Sequence, residues 1–311
     1  MNNKMLQLEL WRQCDLHCKF CYIGEENFKL PEEYKLKAIE NTLKIIKDEN
    51  TWTKYDSLGL IGGEFFQGQL DTLKLKEKFI EIIRCVESLY QSNKIDHFWI
   101  TTTLTKPICE ELKNTLSILN AFNNVWICTS YDLKGRFHTE QLKANWVNNI
   151  DYIHKNYQNI KINTTFVLTQ DLLDEWNKNN EFFDNFGQTY KTSIYFKAPD
   201  IGSLDKDMNS FIKRTGLTTF FPKRNDFLNF VIWIIKNKKL DILFNREYRA
   251  ECLYENLGGD SLRIYHDRQD DREEGKCMPC GHLEWFSHYA DSNDCMLCDI
   301  NRLVKEFEDE E

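Results

Sequence analysis

The strongest constraint on the fold of this 311-residue chain is a regular alternation of strand-like and helix-like patterns. The strand-like segments are β-branched or aromatic runs, or alternate apolar with polar residues. They are residues 5–10, 57–61, 97–103, 125–130, 160–168 and 193–197. Between them, apolar residues recur at three- and four-residue steps, which is typical of amphipathic helices. These helical segments are residues 36–46, 75–90, 108–122, 140–157 and 172–186. Successive β-then-α units predict an α/β fold with parallel strands joined by helical crossovers.

Three cysteines follow the first strand directly. Cys14, Cys18 and Cys21 stand in the run CDLHCKFC, with three and then two residues between them. Three thiolates on one short loop can hold three corners of an iron–sulfur cube and leave the fourth iron without a protein ligand. That iron is open for chemistry, whereas a four-cysteine site is closed. The alternatives are a zinc knuckle without its fourth ligand, or a chance cluster.

The second strand ends in a Gly-Gly-Glu run at residues 62–64. With it, the sequence resembles the radical S-adenosylmethionine (SAM) superfamily, whose signature is C-x3-C-x2-C followed by such a motif. The resemblance implies a partial (β/α)6, TIM-like barrel with a 4Fe–4S cluster at the carboxyl ends of its strands, where barrels present their chemistry. It implies that the three cysteines bind this cluster and that SAM chelates the fourth iron. Reductive cleavage of SAM then gives a 5′-deoxyadenosyl radical, which abstracts hydrogen from a substrate.

The resemblance also implies residues that bind SAM. Phe20 occupies the aromatic position before the last cysteine, which lies by the adenine. Gly62, Gly63 and Glu64 match the motif that meets the methionine amino group. Ser130, in a Ser-Tyr-Asp run at the end of the fourth strand, matches a serine that contacts SAM. The sequence has phenylalanine and leucine where the family has the proline after Gly-Gly-Glu and the glycine after Ser-x-Asp. A Gly-Gly pair is often only a turn, and a Ser-x-Asp run is often only a helix cap.

The alternation stops after residue 200, and a cysteine-rich segment follows a helix-like stretch at residues 227–235. Its cysteines are Cys252, Cys277, Cys280, Cys295 and Cys298. The last four form C-x2-C-x14-C-x2-C, close to a zinc-ribbon spacing. Cys252, a Gly-rich turn and a Pro-Cys element instead resemble the auxiliary-cluster extensions called SPASM and twitch domains. This resemblance implies an auxiliary 4Fe–4S cluster with Cys277 as the spare ligand, and structural zinc stays the alternative.

We therefore expect a radical SAM barrel at residues 1–215, and a bridging helix with a SPASM/twitch-like domain at residues 216–311.

Composition narrows the class of protein. A net charge of −9 gives no basic footprint for nucleic acid. No apolar stretch is long enough to span a bilayer, and no signal peptide precedes the first strand. Eleven cysteines without an export signal favour reduced thiols and metal binding over disulfides, so we expect a cytoplasmic protein.

The resemblance predicts an oxidoreductase or maturase. Its expected partners are an electron donor such as flavodoxin or ferredoxin and a substrate that is a small molecule, a peptide or a nucleotide. The alternative is a non-catalytic metal-binding interaction protein that retains the scaffold.

Overall fold

A computed structural model describes residues 5–11, 13–16, 18–21, 30–197, 199, 208–237, 289–292 and 296–309. These residues form one six-stranded parallel sheet in which each strand pairs with the next one along the chain. The strands are β1 (Met5–Glu9), β2 (Ser57–Ile61), β3 (His97–Thr101), β4 (Val125–Tyr131), β5 (Ile160–Val167) and β6 (Ser193–Lys197). In the described part of the chain the sheet is not closed, because β1 and β6 do not pair with each other.

Helices connect each strand to the next and then continue beyond β6. They are α1 (Glu32–Lys47), α2 (Leu73–Gln91), α3 (Glu110–Leu119), α4 (Glu140–Asn156), α5 (Gln170–Lys178), α6 (Phe182–Tyr190), α7 (Met208–Thr215), α8 (Arg224–Lys236) and α9 (Met296–Asp309). The predicted α/β class and the partial (β/α)6, TIM-like arrangement are confirmed. The division at residue 215 stays a prediction.

The predicted helix over residues 172–186 is wrong, because the chain forms two helices there. Helix α5 ends at Asn179, whose backbone is extended (φ −147°, ψ 98°). The Asn179 side chain accepts a hydrogen bond from the Glu181 N–H at 3.1 Å. Asparagine competes in this way with the helical backbone, which explains the break within an otherwise continuous apolar pattern.

Three helices begin at a threonine that satisfies a free backbone N–H. Thr72, Thr139 and Thr169 precede α2, α4 and α5, and each hydroxyl accepts from the N–H three residues later at 3.3–3.4 Å. Such caps are each worth about 1 kcal/mol, so the chain itself sets where these crossovers start.

The two faces of the sheet differ in chemistry. The face under the helices is apolar and buried, with residues such as Leu60, Ile100 and Ile127 fully enclosed. On the opposite, inner face, Trp99 and Trp126 are paired in register near the amino ends of their strands, and we call them the indole layer. The Trp99 ring occupies the space beside Gly59, where a Cβ would lie 2.0 Å from it. Bulky rings therefore fill this end of the inner face.

Above the indole layer the inner face is built of short polar side chains. One register row contains Thr101, Cys128 and Asn163. The next contains Ser130 and Thr165, followed by the longer Tyr195. These side chains are half-buried, unlike the enclosed apolar face. The inner face is thus more open toward the carboxyl ends of the strands.

Among the described helices, none is long and apolar enough to cross a membrane.

Candidate active site at the carboxyl edge of the sheet

The segments that follow β1 and β2 stay hydrogen-bonded beyond the ends of their strands. The Gly63 N–H donates to the Trp11 carbonyl at 2.8 Å, and the Glu64 N–H donates to the Gln13 carbonyl at 2.8 Å. The Trp11 indole N–H returns a bond to the Glu64 carbonyl at 2.9 Å. This pairing ends one residue before Cys14. It therefore places the start of the cysteine loop beside the Gly-Gly-Glu run.

Gly62 is required by this close approach. A Cβ at Gly62 would lie 2.4 Å from the Trp11 carbonyl oxygen, a backbone atom that cannot move aside independently. Glycine is the residue that permits such contact. Gly62 thus has a structural reason to be glycine, and the predicted contact of Gly62 and Gly63 with SAM stays a prediction.

Glu64 is buried, and its carboxylate is fully used within the chain. It accepts from the N–H groups of Phe65 (2.9 Å), Phe66 (2.9 Å) and Thr103 (2.7 Å), and from the Thr102 hydroxyl (2.9 Å). Four donors match the roughly four acceptor sites of a carboxylate. The side chain therefore joins the end of β2 to the end of β3. Its role in SAM binding stays a prediction.

The loop after β3 contains a strained residue that the sequence did not reveal. Leu104 is fully buried and has a φ of 55°, a left-handed conformation that costs about 1–2 kcal/mol for a residue with a Cβ. Asn149 of α4 donates to the Leu104 carbonyl at 2.8 Å and to the Lys106 carbonyl at 2.6 Å. Asn145 donates to the Thr105 carbonyl at 2.9 Å. These two asparagines, one turn apart on α4, were the only sequence signal for this support.

The cysteine loop also contacts the loop that follows β4. The Lys19 N–H donates to the Gly135 carbonyl at 3.2 Å, and the Cys21 N–H donates to the Cys18 carbonyl at 3.0 Å. The Phe20 ring lies against Gly135, where a Cβ would be 2.4 Å from the ring. Phe20 also stacks on Phe220 with ring centroids 5.5 Å apart. Phe20 thus fixes the cysteine loop between two other segments, while its place by an adenine stays a prediction.

All three cysteines of the loop are half-buried, and none of them is in a disulfide. Burial raises the pKa of Cys14 to about 12, and the charges of Glu64, Cys18 and Cys21 add to this rise. Burial raises the pKa of Cys18 to about 11, although the charge of Arg136 opposes the rise. The charge of Cys21 raises the pKa of both Cys14 and Cys18, so the thiols share one electrostatic environment. Binding of a metal group here must release their protons.

The donor chemistry of these thiols bears on which metal group they fit. Within the described residues, no three Cys, His, Asp or Glu side chains are grouped so as to hold one metal ion. Thiolates are the usual ligands of iron–sulfur clusters, and they also bind zinc. The three thiols therefore fit an iron–sulfur cluster by ligand type. The assignment of Cys14, Cys18 and Cys21 as ligands stays a prediction.

Asp132 organises the loop after β4. One carboxylate oxygen accepts from the N–H groups of Lys134 (3.0 Å), Gly135 (2.5 Å) and Arg136 (3.0 Å). The other oxygen lies 3.6 Å from the Arg136 Nε. Burial alone would lower the pKa of Arg136, but the negative charges of Cys18, Asp132 and the two other cysteines outweigh it and raise that pKa. Arg136 is therefore a largely buried cation, with 12% of its side chain exposed, whose charge acts on the thiols. No motif in the sequence indicated it.

A small cleft, partly open to solvent, lies where β4 and β5 end. Phe20 and Phe220 form part of its wall, and Asp132, Thr169 and Asp171 line it. Asp171 accepts from the Thr219 hydroxyl and from the Lys134 ammonium, both at 2.6 Å. The cleft is thus a mixed aromatic and polar site directly beside the cysteine loop.

Ser130 is the penultimate residue of β4, as the sequence predicted. It is half-buried and lies on the inner face, paired in register with Thr165. It stands two residues before Asp132, so it lies directly below the loop that contacts the cysteines. Its contact with SAM stays a prediction.

Most of the predicted C-terminal ligands fall beyond the part of the chain that the structure describes. Cys252, Cys277, Cys280 and Cys295 lie outside the described residues. Cys298 lies on α9, but its side chain is likewise outside the description. Helix α9 packs on α8, which contains the predicted helix-like stretch 227–235.

No family model matches the sequence. No curated protein matches it. Among solved structures, the crystal structure of Streptococcus suis SuiB is similar at 17% sequence identity and a TM-score of 0.44. The similarity covers 76% of this chain and 47% of that one, so the chain spans about half the length of that structure.

Proposed function

We propose that this protein is a radical SAM enzyme. The observation that carries the proposal is the position of the thiols of Cys14, Cys18 and Cys21. They follow β1 at the carboxyl edge of a parallel sheet, the edge where α/β barrels place their active sites. Backbone hydrogen bonds join the same segment to the Gly-Gly-Glu run, and a mixed aromatic and polar cleft lies beside it.

Each part of this edge has a distinct role in the proposal. The three thiols hold a 4Fe–4S cluster, and Phe20 and Phe220 form the apolar wall of the cleft for the adenosyl part of SAM. Gly62, Gly63 and Ser130 are the residues proposed to contact SAM. Glu64 acts mainly by fixing the Gly-Gly turn, since its carboxylate is used internally. When bound, the cluster and SAM supply an electron and the 5′-deoxyadenosyl radical that removes a hydrogen atom from substrate.

The side chains on the inner face of the sheet suit a polar substrate. Its upper rows are short hydroxyl, thiol and amide side chains between the indole layer and the cysteine loop. Such groups bind by hydrogen bonding rather than by apolar contact. A small molecule, a peptide side chain and a nucleotide all fit this description. The electron donor is proposed to be of the flavodoxin or ferredoxin type.

For the C-terminal segment we propose an auxiliary 4Fe–4S cluster, with structural zinc as the alternative. The support is the cysteine pattern, in which Cys252, Cys280, Cys295 and Cys298 are the proposed ligands. Cys277 is the spare ligand. With an auxiliary cluster, the chain should hold about eight irons, four in each cluster. With a zinc site, it should hold about four irons, all on the N-terminal cysteines, and one zinc.

The main test uses protein reconstituted anaerobically with iron and sulfide, then reduced in the presence of SAM. The parent should release 5′-deoxyadenosine and methionine. The triple variant Cys14→Ala, Cys18→Ala, Cys21→Ala should release none and lose about four irons. The matched control is Cys85→Ala with Cys109→Ala, which removes two free thiols elsewhere and should retain cleavage. Cleavage by the triple variant at the parental rate would overturn the proposal.

The C-terminal assignment has its own test. Cys252→Ala should lower the iron content by about four and leave SAM cleavage intact if an auxiliary cluster is present. A zinc ribbon built from the last four cysteines does not need Cys252. Unchanged iron together with stoichiometric zinc would therefore decide for the zinc alternative.

A further inference from the structure

Arg136 is a buried cation that the proposed function leaves without a role. Its backbone position is fixed, because its N–H donates to Asp132 at 3.0 Å and the preceding carbonyl accepts from Lys19 at 3.2 Å. Its guanidinium carbon lies 5.8 Å from the centre of the Phe20 ring. Phe20 stands between Cys18 and Cys21 in the sequence. The side chain of Arg136 thus lies against the cysteine loop.

The side chain is only partly satisfied by its ion pair with Asp132. The Arg136 Nε and one Asp132 oxygen are both buried, and within the described residues neither makes a hydrogen bond. They lie 3.6 Å apart, beyond ordinary hydrogen-bond length. A buried charge that is incompletely paired is costly unless another group compensates it.

Three thiolates supply such a compensating charge. Arginine stays protonated at any pH a folded protein meets, so its positive charge is permanent. An iron–sulfur cluster held by three thiolates carries net negative charge, and reduction by one electron adds one more. A fixed cation nearby stabilises the reduced state more than the oxidised state, and burial keeps solvent from screening that difference.

We propose that Arg136 is a positioning residue whose fixed charge acts through Cys14, Cys18 and Cys21 to favour one-electron reduction of the cluster they hold. This inference rests on the proposed function. The reductant is any low-potential one-electron donor, and dithionite serves in the test. One electron enters the cluster, and no bond breaks in this step.

The experiment measures the midpoint potential of the full-length, reconstituted protein without SAM, by redox titration followed by electron paramagnetic resonance. The signal of interest is the one missing from the variant that lacks all three cysteines of the loop. Arg136→Gln should lower the equilibrium constant for reduction on the order of tenfold, which is about 59 mV toward negative potential. Arg136→Lys should return the potential to nearly the parental value.

Asp132→Asn should shift the midpoint potential in the opposite direction. It removes a negative charge beside Arg136, while its remaining carbonyl oxygen can still accept the three backbone N–H groups. The potential should therefore rise. A purely structural role for this pair would not move the two variants in opposite directions.

Arg214→Gln is the matched control. Arg214 also contacts the cysteine loop, donating to the Lys19 carbonyl at 3.1 Å, but it is exposed, so solvent and salt screen its charge. Arg214→Gln should therefore shift the midpoint potential by only a fraction of the shift seen for Arg136→Gln.

The outcomes separate cleanly. An unchanged potential in Arg136→Gln at full iron content overturns the inference and leaves the proposed function standing. A parent that holds no iron on the three cysteines overturns both. If Arg136→Gln does not hold its iron, Asp132→Asn decides: a rise in potential supports the inference, and no rise overturns it.

Discussion

Two charged side chains at the same edge of the sheet, both largely removed from solvent, differ in how completely their hydrogen bonds are satisfied. Glu64, between the ends of β2 and β3, receives four hydrogen bonds from its own chain. Arg136, in the loop after β4, has a buried Nε without a hydrogen bond in the described structure and lies 3.6 Å from Asp132. A buried charge with all its partners supplied is typical of a structural support. A buried charge with incomplete partners beside a cysteine loop is typical of a site prepared for another group.

The largest expected effect in this comparison is the loss of Glu64. Glu64→Ala leaves four buried donors without an acceptor, so we expect a loss of about 3 kcal/mol or more in the free energy of unfolding. Chemical denaturation measures it. The control is Glu110→Ala, which removes an exposed carboxylate paired with Lys113 and should change stability by less than about 0.5 kcal/mol. A loss of similar size in both variants would break the distinction.

The next effect concerns the backbone contact that joins the cysteine segment to the Gly-Gly-Glu run. Gly62→Ala places a methyl group 2.4 Å from the Trp11 carbonyl oxygen, so we expect a loss of about 1–3 kcal/mol and a lower iron content after reconstitution. Gly187→Ala, in α6, meets only ordinary contacts at 3.4 Å and should be neutral or slightly stabilising. Normal stability and iron in Gly62→Ala would show that the segment does not need this approach.

Asp299 on α9 is a second, fully supplied charge and should behave like Glu64. It accepts from Arg224 at 2.9 Å and from Tyr289 at 3.0 Å. Burial alone would raise the pKa of Asp299, but these hydrogen bonds and the charge of Arg224 outweigh it and lower that pKa. The stabilisation is therefore complete above the unfolded pKa of about 3.9 and is lost as the pH falls through the lower folded value.

Asp299→Asn tests this account. We expect a loss of about 1–3 kcal/mol near neutral pH, measured by chemical denaturation. The difference between parent and variant should shrink on acidification below the unfolded pKa. A difference that stays constant through that range would contradict the assignment.

The smallest effect is expected from the exposed pair of Asp15 and Lys106, which joins the cysteine loop to the loop after β3. Both side chains are partly exposed, so a double-mutant cycle with Asp15→Asn and Lys106→Met should give a coupling free energy below about 1 kcal/mol. High salt should reduce it further. A coupling as large as the Glu64 effect would show that exposure does not separate the two kinds of charge.

The sequence predicted the strands and most helices of the barrel because their patterns are local. Apolar periodicity identified each strand, and the cysteine spacing marked a candidate site at the end of the first one. It failed at Asn179, where one polar side chain ended a helix within a continuing apolar pattern. The predicted ligands from Cys252 onward stay predictions, since their side chains lie outside the described residues.

What the sequence determined by itself was the order of the elements and the chemistry each loop carries. The tertiary structure decided which loops meet. It brought Arg136 to Cys18, Phe20 to Phe220 and Glu64 to Thr103, although each pair is far apart in the chain. The physical reason is that periodicity reports on neighbours along one element. The electrostatic effect on a thiol and the hydrogen-bond donors around a carboxylate depend instead on the tertiary structure. They are set by which strand ends the parallel sheet places side by side.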